Sequence, residues 1–178
     1  FRSTLVDYID WTPFFQTWEL HGKFPAILTD PVVGSEANKL YNDAVALLIE
    51  MVKDNTLKAN AVVGIFPAQR VGSDDVNVYA PGSDEVLTQF HFLRQQNEKA
   101  AGTYNLSLAD YIAPEENGKM DYIGGFAVTA GIGLDQLVAQ FDADLDDYNS
   151  IMAKALADRL AEAFAECLHQ KVRKEIWG

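Results

Sequence analysis

"AVVGIFPAQRVGSDDVNVYAPGSDEVLTQFHFL" occupies residues 61–93. "AVVGIF" (Ala61 to Phe66) is apolar and rich in β-branched residues, and Pro67 is expected to close it as a strand. "VNVY" (Val76 to Tyr79) alternates apolar and polar residues after the turn-like Gly72-Ser73-Asp74-Asp75. "EVLTQFHFL" (Glu85 to Leu93) reads as a third strand, reached through Pro81-Gly82-Ser83. A parallel neighbour needs a crossover of a dozen or more residues, and these connections are far shorter. The stretch therefore predicts an antiparallel meander, not a run of βαβ units.

The flanks are mostly helical. Phe14 to Leu20 reads as a short helix with Thr12 as N-cap, Pro13 at the first helical position and Gly22 after the end. From Glu36 to Lys53, Ala37, Leu40, Tyr41, Ala44, Leu47, Leu48 and Met51 keep the 3-and-4 spacing of one buried face, and Ser35 is placed to cap it. "SLADYIAP" (Ser107 to Pro114) reads as one or two helical turns stopped by Pro114. "MDYIGGFAVTAG" (Met120 to Gly131) reads as a fourth strand. Leu134 to Phe141 is expected to be helical, and a long helix follows from about Tyr148 to Ile176. On that helix Leu160, Ala161, Phe164, Cys167 and Leu168 lie within about 60° of Phe164, with Leu156 and Val172 at the margins. Arg159, Glu162, Glu166, His169 and Arg173 fall opposite. The fold class is α+β: an antiparallel sheet with flanking helices and a long C-terminal helix. No repeat, low-complexity tract or linker divides residues 1–178, so one domain is expected.

The 178 residues are 48% hydrophobic and 22% charged, as in an ordinary globular protein, and disorder is not expected. Fourteen basic against 26 acidic side chains leave a net charge of −12. That field repels nucleic acid and anionic membrane surfaces, and it suits cationic small molecules or a basic partner. Cys167 is the only cysteine, which rules out a disulfide within the chain and a Cys-rich zinc site. No run of about 18 apolar residues reads as a membrane span. A reducing, cytoplasmic setting is expected. The sequence starts at Phe1 and stops after a helical pattern, which reads as a piece of something longer.

Three stretches carry chemistry worth weighing. Asp10 beside Trp11 in "IDWTPFF" is either a carboxylate with aromatic walls that holds a cation, or a helix-start residue next to core aromatics. Asp158, Glu162 and Glu166, four residues apart, are either a surface for a cationic ligand or basic partner, or a solvated helix edge. "VTAGIG" (Val128 to Gly133) has the strand, Gly-x-Gly and helix of a nucleotide-binding turn, but Gln136 stands where the third glycine belongs. His21, His91 and His169 show no metal-site spacing, and no nucleophile motif occurs.

Six stretches resemble, in order, the activation domain of cobalamin-dependent methionine synthase: "IDWTPFFQTWELHGKFP", "VVGIFPAQRVGSDDV", "HFLRQQNEK", "SLADYIAP", "DYIGGFAVTAG" and "DDYNSIMAKALADRLAEAFAECLHQKVRKEIWG". The resemblance implies a curved antiparallel sheet with surrounding helices. It also implies a reactivation role within a methyltransferase acting between 5-methyltetrahydrofolate and homocysteine. The domain would bind S-adenosylmethionine and dock on the cobalamin domain, so that an electron from flavodoxin or an equivalent reductase and the donor's methyl restore methylcobalamin. Cobalamin itself would be held by another domain. Carried over by position, Asp10 and Glu162 would line the donor pocket, with Trp11 and Phe14 added here as walls. The family's "RPAPGYP" motif follows the "WG" at which this sequence stops. The resemblance therefore implies the N-terminal and central part of the domain, expected to be inactive alone. A non-catalytic acidic interaction module and a self-contained methyltransferase on a nucleotide-binding sheet are the rival readings.

Overall fold

Four strands form one sheet in the order β3-β2-β1-β4. The strands are β1 (Lys58–Val71), β2 (Asp75–Tyr79), β3 (Val86–His91) and β4 (Asp121–Ile132). This computed structural model describes residues 2–177. The meander is present: β1 pairs antiparallel with β2 from Ala68↔Val78 to Val71↔Asp75, and β2 pairs antiparallel with β3 from Asp75↔His91 to Tyr79↔Val86. Pro67 does not close the first strand, which runs on to Val71. It sits one residue before the first β1–β2 pair, where its missing N–H removes no rung of that ladder.

The helices are α1 (Arg2–Val6), α2 (Thr12–Thr17), α3 (Gly34–Lys53), α4 (Leu134–Ala143) and α5 (Asp147–Lys171). A π-helical turn, Val172–Ile176, extends α5. Helix α2 starts two residues earlier than its sequence predicts, and Thr12 is its first residue, not its cap. Trp11 stands at the N-cap without a side-chain cap bond; one residue further out, Asp10 Oδ1 accepts the Thr12 backbone N–H at 2.9 Å. Helix α3 likewise begins at Gly34, with Asp30 Oδ1 accepting the N–H groups of Val32 and Val33 ahead of it. Those two bonds hold the Asp30 carboxyl below its ordinary pKa.

The chain divides into two compact units. The first holds the residues up to Ala61 together with those from Ala127 onward, and the second runs from Val62 to Phe126. In the second unit, Ala68, Val76 and Ala109 are fully buried, and Phe92, Ile112 and Ile123 pack against them. "SLADYIAP" forms a single 3-10 turn, Leu108–Tyr111. Ser107 and Asp110 make a reciprocal capping box there. The Arg94 guanidinium forks onto Asp110 at 2.8 and 2.9 Å and also reaches the carbonyls of Asn105 and Ser73. That fork, then the Ser107 N–H, hold the Asp110 carboxyl well below the usual carboxylate range.

In the first unit α5 is the central element, and α1, α2, α3 and α4 all contact it. The predicted face is present, with Leu156, Leu160, Phe164, Cys167, Leu168 and Val172 buried and Ala161 half-buried at its edge. A second stripe is buried as well: Met152, Ala155, Arg159 and Ala163. These positions also follow 3-and-4 spacing, so α5 is covered on two sides, and three of the four are small or flexible enough for close helix packing. Arg159 therefore does not belong to the solvated face on which its sequence places it.

Candidate functional site

The first unit contains all four residues singled out for ligand binding, Asp10, Trp11, Phe14 and Glu162. Pro13 fixes the start of α2, and Asp10 Oδ1 satisfies the Thr12 N–H from just outside the helix. This geometry drives Phe14 and Phe15 inward, where neither has any exposed surface. Trp11 is 7% exposed and sits edge-on to Phe14 at 5.3 Å and to Tyr41 of α3 at 4.9 Å. Phe24 completes the cluster, 5.3 Å from Tyr41 and stacked on Phe15. Edge-to-face pairs of this kind add roughly 0.5–1.5 kcal/mol each beyond the burial itself. The aromatic half of the "IDWTPFFQTWELHGKFP" stretch is thus largely core.

Trp11 keeps one margin toward solvent. With Asp7, Tyr41, Leu48, Val52 and Lys53 it borders a groove of about 710 Å³. Phe14 lies beneath the surface and meets this groove only through the ring of Trp11.

Asp10 is exposed, and only one of its oxygens is engaged by the Thr12 N–H; the other makes no hydrogen bond among the described residues. Glu162 is also outward, its side chain 63% exposed. Its inner side is gripped by Arg159, whose Nη1 and Nη2 donate to the two carboxylate oxygens at 2.7 and 3.1 Å. The same Nη2 donates to Asp158 at 2.5 Å. Burial pulls the Arg159 pKa down, but the hydrogen bonds it donates to Asp158 and Glu162 outweigh it and leave the pKa raised. No hydrogen bond or ion pair joins Asp10 to Glu162 among the described residues; each carboxylate is held separately by its own neighbours.

Two further tethers tie the N-terminal segment to α5. Tyr8 donates its hydroxyl proton to Gln170, and Trp18 packs on Tyr148 with centroids 5.1 Å apart. Tyr148 in turn donates to Asp43 of α3 at 2.9 Å. Burial first, then that hydrogen bond, push the Tyr148 phenol up to about 12. The sequence reading misses Arg159 and these tethers. The spacing of Met152, Ala155, Arg159 and Ala163 is the one signal in the sequence for the buried Arg.

"VTAGIG" has a different explanation from phosphate binding. Gly133 takes φ +103° where β4 passes into α4. A Cβ on it would stand 2.5 Å from the carbonyl oxygen of Thr56. The glycine is required by a backbone approach within the first unit. The antiparallel β1-β2-β3 order also removes the self-contained methyltransferase reading, which needs a parallel nucleotide-binding sheet. Among the described residues no helix is long and apolar enough to cross a membrane.

Comparison with known proteins agrees with the fold and with the order of the motifs. The model of the vitamin B12 dependent methionine synthase activation domain matches residues 3–178. A solved structure, the crystal structure of the MetH reactivation domain bound to AdoHcy, superposes with a TM-score of 0.92 at 55% identity. The match covers 99% of this chain and 54% of that one, so the chain spans about half the length of the solved relative. The chain belongs to the family of the vitamin B12 dependent methionine synthase activation domain.

Proposed function

We propose that this chain serves in reactivating a cobalamin-dependent methionine synthase, by binding S-adenosylmethionine and docking on the cobalamin domain of the same enzyme. The observation that carries the reading is the likeness, at 55% identity, to a reactivation domain that holds AdoHcy, the product left when S-adenosylmethionine gives up its methyl. The donor carries a sulfonium and an ammonium, and carboxylates with a tryptophan face are suitable hosts for such cations. Asp10 and Glu162 suit that role, since both are exposed and Asp10 keeps an oxygen free of the Thr12 N–H. Trp11 offers a wall, and Phe14 holds Trp11 edge-on from below. Residues 1–178 form the N-terminal and central part of the domain, in keeping with their coverage of about half the solved relative. Cobalamin supplies the methyl acceptor from the neighbouring domain, and flavodoxin or an equivalent cytoplasmic reductase supplies the electron.

The parent activity is methyl transfer between 5-methyltetrahydrofolate and homocysteine; this chain's own part is donor binding and docking, not that chemistry. The rival reading is a surface on which Asp158, Glu162 and Glu166 dock a basic partner; Arg159 forks between the first two and offsets one of their two charges. Titration calorimetry with S-adenosylmethionine on the protein that carries this chain tests the proposal. Asp10→Asn keeps the acceptor for the Thr12 N–H, and Glu162→Gln keeps the side chain's size. Each is expected to weaken donor binding severalfold or more, and unchanged affinity in both rejects the assignment.

A further inference from the structure

Arg159 is the only charged residue buried among the described residues, in a chain with a net charge of −12. Burying a guanidinium costs several kcal/mol unless its donors are satisfied. The fold could fill this place on α5 with Met or Leu, since Met152, Ala155 and Ala163 share the stripe. Instead it keeps an Arg whose stem lies in the core and whose fork emerges beneath two acidic side chains, one turn apart. The fork takes Glu162 by both oxygens and Asp158 by one. The outer faces of both carboxylates stay open to solvent, with 63% and 69% of the side chains exposed.

We propose that Arg159 is a positioning residue for the cation-binding carboxylate: it fixes the Glu162 side chain in one rotamer with its outer face presented, so that little ordering is left for a ligand to impose. This inference rests on the assignment of Glu162 to the donor site. An unpinned glutamate on an exposed helix face loses rotamer freedom when it grips a ligand, and a planar, forked guanidinium removes that loss beforehand. A lysine has the charge but no fork, so it anchors one oxygen and leaves the carboxylate free to turn.

The test is a double-mutant cycle in S-adenosylmethionine affinity, measured by calorimetry on the protein that carries this chain, with Arg159→Met, Arg159→Lys and Glu162→Gln. Arg159→Met keeps the apolar stem and is expected to fold, since the two carboxylates it leaves behind are solvent-exposed and no buried charge is stranded. It is expected to weaken donor binding about 3- to 10-fold in the Glu162 background and to have no effect in the Glu162→Gln background. Arg159→Lys is expected to keep the parent's stability without keeping its affinity. A structural role alone would give equal losses in both backgrounds and rescue by Lys, and that result overturns the proposal. Should Arg159→Met fail to fold, the Arg159→Lys comparison across the two backgrounds decides in its place. If Glu162→Gln itself leaves affinity unchanged, the donor-site assignment fails, and the inference about Arg159 falls with it.

Discussion

Gly133→Ala separates a packing glycine from a ligand-binding one. At φ +103° an L-residue pays about 1–2 kcal/mol for left-handed backbone. The added Cβ would also sit 2.5 Å from the Thr56 carbonyl oxygen, at least 0.5 Å closer than real Cβ contacts come. The neighbour is backbone, not the end of a flexible side chain, so relief requires moving the chain before β1 or the start of α4. Overpacking of this kind costs roughly 1–3 kcal/mol, which makes the expected total about 2–5 kcal/mol. Gly131, two residues earlier, is the internal control: it has negative φ and open space where its Cβ would go. Gly131→Ala is expected to change stability by less than about 0.5 kcal/mol. Urea unfolding followed by tryptophan emission reads the right unit, because Trp11, Trp18 and Trp177 all belong to it, as do Gly133 and Thr56. With a slope of roughly 2 kcal/mol/M, the Gly133 variant should lose about 1–2.5 M in midpoint. Equal midpoints for the two alanine variants, or a Gly133→Ala loss below about 1 kcal/mol, would refute the steric argument.

Phe14→Ala removes a fully buried ring from the aromatic cluster and should cost about 3–5 kcal/mol, a fall of roughly 10 °C or more in Tm by calorimetry. Tyr148 should titrate near 12, against 10.0 for an unperturbed phenol, in phenolate absorbance, and Asp43→Asn should bring it down. Because its folded pKa is raised, Tyr148 contributes stability below the unfolded value that is lost as pH climbs toward 12. Asp110 behaves oppositely: its depressed pKa contributes stability above the unfolded value of 3.8, lost as pH falls below it. Arg94→Ala should therefore destabilise at neutral pH and flatten the acid limb of a pH–stability curve.

The meander was legible because its turns are written in Gly, Pro, Ser and Asp, and because β2 alternates as a half-buried strand must. The core face of α3 was legible for the same reason, and Ala37, Leu40, Ala44, Leu47, Leu48 and Met51 are all buried. Pro67 misled because proline forbids a ladder bond only on the side where a ladder exists. Arg159 misled because a helical wheel assigns the buried face from one apolar stripe, whereas α5 is buried on two. That the helix takes in Thr12, and that Asp10 rather than Thr12 accepts an N–H at its start, depends on the helical backbone angles at Trp11, which residue types do not show. The acidic and aromatic side chains of the candidate site are plain in the sequence, but the Arg159 fork on Glu162 is not.

The charges on the ligand offer a finer assignment than affinity alone. S-adenosylmethionine and AdoHcy share the ammonium and the adenosine; only the donor has the sulfonium. A carboxylate facing the ammonium should, when neutralised, weaken both ligands by the same factor. One facing the sulfonium should weaken the donor alone. Two charges about 4 Å apart attract by roughly 1 kcal/mol in bulk water and about 4 kcal/mol near a protein surface. Glu162 is more than half exposed and shares its charge with Arg159, so the lower figure applies, a roughly fivefold change that calorimetry resolves. The ratio of donor to product affinity in Asp10→Asn and in Glu162→Gln thus assigns each carboxylate to one cation. It also bears on turnover: the carboxylate beside the sulfonium loses its partner charge once the methyl has left, and that loss favours release of the spent donor. If neither substitution alters the ratio, both carboxylates serve the ammonium, and discrimination between donor and product must come from other residues.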